Sequence, residues 1–149
     1  MNMGAFGVLY LLDGQEGNAQ TLDDYKGLGF KYPALSFLMS LFLISMAGLP
    51  PTVGFIGKFY LFAAAIKEGY LLLAALGIMT CAIAAYYYLR VIWMLYMVEP
   101  SREVVAGRVG VTSMVALIAA ALGVMYFGML PEGLVQVANV AQQSLAMVF

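Results

Sequence analysis

Apolar residues occur along the chain in four long blocks, and charged residues are almost confined to the segments between them. The blocks cover residues 1–12, 34–66, 70–98 and 109–130. A transmembrane helix needs about 20 mainly apolar residues to cross a hydrocarbon core of about 30 Å. The third and fourth blocks meet this length, so the pattern predicts an uninterrupted transmembrane helix in each.

The first two blocks have unusual lengths for a transmembrane helix. Residues 1–12 would form a helix of about 18 Å, which is too short to cross and predicts the end of a truncated helix. Residues 34–66 would form one straight helix of about 50 Å, which is too long for a single unbroken crossing. Beyond the fourth block, residues 131–149 mix polar and apolar positions and predict an interfacial tail.

Glycines and prolines in the second block predict that its helix is interrupted. Gly48 suits the left-handed residue that follows a helix end, while Pro50 and Pro51 cannot continue the preceding helix and fit the first turn of the next. Gly54 and Gly57 follow, so the interruption is predicted between Gly48 and Gly57. The fold class predicted from these blocks is an all-α, polytopic transmembrane helix bundle with one discontinuous helix.

Lys58 is the single charged residue of the second block. It precedes Lys67 by nine residues, which places it about 13 Å into the membrane, near the midplane. A charge at that depth usually faces the interior of a bundle and belongs to an ion pathway, and a helix break in lipid is tolerated where it lines a polar cavity. The alternative is that Lys58 is a packing device held by a carboxylate or by backbone carbonyls. None of the four blocks contains an acidic residue, which favours a proton relay.

Ser45 and Thr52 flank the predicted break. In one interpretation their hydroxyls bind the unpaired backbone groups of the break or order water there. In the other, they bond back to carbonyls of their own helix. Asp23 and Asp24 form a carboxylate pair in a polar loop, where helix capping and turn formation explain them better than acid/base chemistry.

Arg90 follows three consecutive tyrosines, residues 86–88, near the end of the third block. The arginine side chain can reach the membrane interface, and the tyrosines suit an aromatic belt. The alternative places Arg90 in a polar axis through the bundle.

Composition and charge narrow the class of protein. Hydrophobic residues make up 64% of the 149 residues and charged residues 10%, against about a quarter charged in soluble domains. The chain is therefore predicted to be an integral membrane protein in contact with the lipid bilayer. Its net charge of −1 gives no basic patch for nucleic acid. A single cysteine and no histidine exclude His or Cys metal sites, haem and iron–sulfur clusters from this chain.

Basic residues predict the orientation in the membrane. The loops after the first and third blocks contain Lys26, Lys31, Arg102 and Arg108, whereas the short loop between the second and third blocks contains only Lys67. Basic loops face the cytoplasm. The C-terminus is therefore predicted on the outer side.

Four stretches together closely resemble the C-terminal third of the subunit N family of proton-translocating NADH:quinone oxidoreductase, respiratory complex I. They are MNMGAF at residues 1–6, LDDYKGLG at 22–29, SMAGLPPTVGFIGKFYLF at 45–62 and AAYYYLRVIWMLY at 84–96. The broken-helix motif is common to all antiporter-like subunits, and the triple tyrosine before Leu-Arg is more particular to subunit N.

This resemblance implies that the four blocks are the end of helix 11, the discontinuous helix 12, helix 13 and helix 14 of that family. The helix-12 lysine, near the outer end of the family's proton path, falls on Lys58. NADH, FMN, iron–sulfur clusters and quinone would be bound by partner subunits and none by this chain. The implied setting is a bacterial inner membrane, with other membrane subunits, protons and water as partners.

The resemblance also implies that the input half of the proton path is missing, since no helices precede Met1. The chain would be either a truncated reading frame or a fragment of a split gene. The alternatives for function are a subunit of a multisubunit cation/proton antiporter or of a membrane-bound hydrogenase, and a non-functional truncated fragment.

Overall fold

The computed structural model describes residues 1–13, 25–50, 52–99 and 110–130. Several predictions from the sequence fall outside these ranges: the roles of Asp23 and Asp24, the helix-breaking Pro51, the basic residues Arg102 and Arg108, and the interfacial tail of residues 131–149.

The described residues are helical, with no strand among them. In chain order the helices are α1 (Asn2–Asp13), α2 (Leu28–Lys31), α3 (Pro33–Ala47), α4 (Val53–Lys67), α5 (Leu71–Met97) and α6 (Val111–Met129). The predicted all-α fold class with one discontinuous helix is confirmed, because the second apolar block forms two helices, α3 and α4, separated by five residues.

Helix α3 lies at the centre of the bundle and contacts every other helix. Phe42 is completely buried, and Leu35, Leu38, Met39 and Leu43 are nearly so. Helices α1, α5 and α6 complete the hydrophobic core around α3 with Ala5, Val8, Leu12, Val91, Leu95, Leu117, Ala121 and Val124. The core is therefore organised around the first half of the interrupted helix.

Among the residues that the structure describes, two helices are long and apolar enough to cross a membrane: α5, with 27 residues, and α6, with 19. Helices α1 and α3 are apolar but shorter. Helix α3 begins with Pro33 at its first turn, where proline is well tolerated because the first backbone N–H groups of a helix have no partner within it.

The short helix α2 packs against the C-terminal end of α5. The backbone N–H of Gly27 donates to the Met94 carbonyl at 3.1 Å, and Gly29 lies directly against the Leu95 carbonyl. Lys26 therefore lies at the same end of the bundle as the end of α5. Lys67, the last residue of α4, lies near the start of α5 at the other end.

Candidate functional site

The break between α3 and α4 begins with a left-handed glycine. Gly48 has φ 85° and ψ 42°, a conformation that glycine adopts without the steric penalty of a side chain. Its N–H is shared between the carbonyls of Ile44 at 3.1 Å and Ser45 at 3.2 Å, and the N–H of Leu49 also reaches Ile44 at 3.3 Å. Two of the four carbonyls at the end of α3 are thereby satisfied by the backbone.

Lys58 satisfies the other two. Its Nζ donates to the Met46 carbonyl at 2.8 Å and to the Ala47 carbonyl at 3.0 Å. The last four carbonyls of a helix have no partner within it and carry the negative end of the helix dipole, so an ammonium group there is favourable. Lys58 of α4 is therefore the C-terminal cap of α3, and within the described residues no carboxylate is among its hydrogen-bond partners.

The side chain of Lys58 reaches this position by lying across Gly48. A Cβ atom on Gly48 would stand 3.0 Å from Lys58 Cδ and 3.2 Å from Nζ. Glycine is thus required at this position for two reasons: its backbone has a positive φ, and the Lys58 side chain occupies the space that a Cβ atom would need.

The two half-helices touch at Gly54, where an added Cβ atom would collide with the Ser45 carbonyl oxygen. Gly54 lies in the first turn of α4, which begins at Val53. Gly57 lies one turn further on, with nothing within 4 Å of its Cβ position. The interruption falls within the predicted interval between Gly48 and Gly57: α4 already begins at Val53, so Gly54 and Gly57 both lie in this helix.

Ser45 and Thr52 are both buried beside the break. The Thr52 hydroxyl donates to the Leu49 carbonyl at 2.7 Å, and the Thr52 N–H donates to the same oxygen at 3.1 Å. The Ser45 hydroxyl donates to the Met1 sulfur at 2.6 Å. The Thr52 hydroxyl thus bonds a backbone carbonyl within the break, while Ser45 links the end of α3 to the residue that precedes α1.

An open cleft of about 600 Å³ adjoins the break. We call it the lysine cleft. Its polar lining groups come from α1, α3, α4 and α5: Asn2, Ser45, Lys58, Thr80, Cys81 and Tyr88. The half-buried Lys58 thus borders an open space, and it is the one charged side chain among the described residues that line it.

Sequence reasoning missed the α5 side of this cleft. Thr80, Cys81, Ala84 and Tyr88 line it at the spacing of one helical face. The signal was present as a stripe of small and polar residues within a strongly apolar helix. Tyr88 was interpreted together with its neighbours as part of an aromatic belt.

Arg90 lies outside the cleft. Its side chain is exposed on α5 and is absent from the lining of the lysine cleft. Tyr86 and Tyr87 are also exposed, at 71% and 50%, whereas Tyr88 is half-buried. Of the three consecutive tyrosines, Tyr88 is the one that faces Lys58 across the cleft, and a role for Arg90 stays a prediction.

Comparison with known proteins assigns the family. Residues 1–84, more than half of the chain, match the family model described as "NADH:quinone oxidoreductase/Mrp antiporter, TM". The chain belongs to this family. It is therefore an integral membrane protein, and the matched region contains the break and Lys58.

Relatives in this family cover nearly the whole chain. Subunit N of NADH-quinone oxidoreductase from Trichlorobacter lovleyi is 43% identical over 95% of the chain. The same subunit from Chloroflexus aggregans is 44% identical over 87% of the chain. The chain spans only 29% and 26% of these two relatives, respectively.

A solved structure shares the fold. Respiratory complex I from Thermus thermophilus with bound aureothin contains a chain that is 32% identical, with a TM-score of 0.67. The match covers 74% of the present chain and 26% of that one. The arrangement of the helices is thus similar to part of a complex I chain.

Proposed function

We propose that the chain is a membrane segment of subunit N of NADH:quinone oxidoreductase and that Lys58 relays protons within it. One observation carries the proposal: the Lys58 ammonium caps the first half of a broken transmembrane helix and borders the open lysine cleft. The identity of the relatives, 43% for subunit N of T. lovleyi, supports the assignment to this subunit.

The geometry supports proton exchange at the Lys58 amine. An ammonium group has three hydrogens, and the carbonyls of Met46 and Ala47 accept two hydrogen bonds from it. The remaining hydrogen is the one available to water or to a neighbouring relay group in the lysine cleft.

Loss of that proton would also change the break. A neutral amine keeps two donors but loses its charge, so its attraction to the negative end of the α3 dipole disappears. In this proposal the charge on Lys58 and the fastening of α4 to α3 change together. Proton transfer would then be coupled to small movements of the two half-helices.

The redox chemistry is assigned to partner subunits. NADH oxidation and quinone reduction, with FMN and iron–sulfur clusters, would take place there, and this chain would act as a non-redox translocating segment. The proposed setting is a bacterial inner membrane, with the C-terminus on the outer side and other membrane subunits, lipid, protons and water as partners.

A second candidate is a cation/proton antiporter subunit, because the matching family model covers Mrp antiporters as well. It shares the Lys58 relay and differs in having no redox partners. The two candidates differ in what drives proton uptake through this chain. In the first it depends on electron transfer from NADH, whereas in the second it depends on a cation gradient.

The test replaces Lys58 by methionine in the assembled complex. Lys58→Met keeps the length of the side chain and removes the proton site, so we expect normal assembly and fewer protons taken up per electron in reconstituted vesicles. Lys67→Met is the matched control, because Lys67 is exposed at the end of α4. Unchanged proton uptake per electron in a properly assembled Lys58→Met complex would show that Lys58 serves only as a cap of α3.

A further inference from the structure

A second cavity, of about 180 Å³, lies between α1, α3 and α5. We call it the apolar cavity. It meets the lysine cleft at three residues that line both spaces: Asn2, Met46 and Tyr88. At its other end it is lined by Tyr25 and Met94, beside the loop that carries Lys26. The two spaces together lead from Lys58 to the α2 end of the bundle.

The described residues that line the apolar cavity include no charged side chain, whereas the cleft contains Lys58. Between its two ends each helix contributes aliphatic side chains one turn apart: Ala5 and Leu9 from α1, Met39 and Leu43 from α3, and Val91 and Leu95 from α5. From Met39 to Met46 this lining extends about 10 Å along the bundle. A buried water needs two to four polar partners, and cavities of this size lined by aliphatic side chains stay dry.

A dry passage has a direct consequence for Lys58. Protons move through proteins along water or polar groups, and an apolar constriction blocks ion movement by excluding water. A translocating site must also avoid being open to both sides of the membrane at the same time, as in alternating access.

We infer that the apolar cavity is a dry barrier that separates Lys58 from the α2 end of the bundle, with Met46 and Tyr88 closing it at the lysine cleft. Tyr88 is half-buried at this junction, with its ring 6.0 Å from that of Tyr87. In this arrangement the lysine cleft exchanges protons elsewhere, and Leu43 and Val91 keep the α2 end sealed. The functional meaning rests on the proposed role of Lys58, but the barrier itself is a property of the packing.

The only cysteine of the chain provides a direct probe, because Cys81 lines the lysine cleft on the far side of the barrier. A charged, membrane-impermeant methanethiosulfonate reagent is added to native membrane vesicles from the α2 side. Modification is then followed by mass spectrometry of the peptide that contains Cys81. Lys31→Cys, at an exposed position of α2, reports how fast the reagent reacts at that surface.

We expect Cys81 to react at least about tenfold more slowly than the Lys31→Cys site, because a charged reagent does not enter a dry apolar passage. Leu43→Ser adds a hydroxyl and space in the middle of the barrier, so it should accelerate Cys81 modification about tenfold by admitting water. Val91→Thr has nearly the same shape as the original side chain and should accelerate it several-fold, which keeps the test valid if Leu43→Ser does not fold. Leu89→Ser is the matched control on the exposed side of α5 and should leave the rate unchanged.

The inference of a dry barrier is wrong if the reaction rate of wild-type Cys81 from the α2 side is within about twofold of that of the Lys31→Cys site. It is also wrong if a folded Leu43→Ser or Val91→Thr variant leaves the rate of Cys81 modification unchanged. The readout requires no proton transfer. It can therefore fail while the Lys58→Met test succeeds, and the reverse result is equally distinguishable.

Discussion

The two halves of the broken helix have the same length and opposite environments. Helices α3 and α4 each contain fifteen residues and both are rich in apolar side chains. Nine residues of α3 are buried, whereas no residue of α4 is. The first half is held by the hydrophobic core, whereas the second half contributes no buried residue and packs against α3, α5 and α6.

This difference separates stability from the proposed function. Helix α3 is surrounded by other helices, so its position is fixed by packing. Helix α4 is joined to α3 by the Gly54 contact and by the hydrogen bonds of Lys58. Further along α4, Phe62 lies against Gly77 of α5. Sparsely packed elements are the ones that move most easily, which suits a helix whose lysine changes its charge.

The largest expected effect on stability comes from removing an aromatic ring from α3. Phe42 is fully buried, so Phe42→Ala should lower the free energy of unfolding by about 3 kcal/mol by leaving a cavity. Phe59 on α4 is 58% exposed, and Phe59→Ala should cost less than about 1 kcal/mol. Thermal denaturation of the detergent-solubilised protein gives both values. Equal losses would show that α4 is packed as firmly as α3.

The next effect tests the contact between the two halves. Gly54→Ala places a methyl group against the Ser45 carbonyl and should cost about 1–3 kcal/mol through overpacking, because backbone atoms cannot move aside easily. Gly57→Ala, three residues later in open space, should be neutral or stabilising by up to about 1 kcal/mol. The same denaturation measurement ranks the two variants. A Gly57→Ala variant that is as unstable as Gly54→Ala would contradict the position of the junction.

A smaller effect is expected at the connection itself. Thr52→Val keeps the shape of the buried side chain and removes its hydrogen bond to the Leu49 carbonyl, which should cost about 1 kcal/mol. The Thr52 N–H still satisfies that oxygen, so the loss should stay below that of Gly54→Ala. Thr80→Val is a suitable control on α5, because its hydroxyl bonds back to the Gly77 carbonyl at an exposed position. A greater loss for Thr80→Val would show that the break tolerates a missing hydrogen bond.

Much of this architecture follows from the sequence. The length of the second apolar block requires an interruption, and Gly48 next to proline marks where α3 ends. The depth of Lys58 in the membrane is a prediction from its spacing to Lys67. These features are local, since they depend on helix geometry and on the conformational limits of glycine and proline.

The remaining features depend on tertiary contacts that no local pattern contains. Gly54 and Gly57 look alike in sequence, but only Gly54 meets the α3 backbone. The partners of Lys58 are carbonyls, which every residue possesses, so the sequence cannot say which ones it binds. Tyr88 differs from Tyr86 and Tyr87 only in the direction it faces on α5, and this direction is set by how α5 packs against α3 and α4.

The most direct test of the account is Lys58→Arg in the assembled complex. Arginine can still donate hydrogen bonds to the Met46 and Ala47 carbonyls, but it does not deprotonate in proteins. We therefore expect a small change in stability, with normal assembly, together with a clear fall in protons taken up per electron during NADH oxidation. Normal proton uptake per electron in Lys58→Arg would contradict the account, because it would show that the charge of Lys58 caps α3 without ever leaving it.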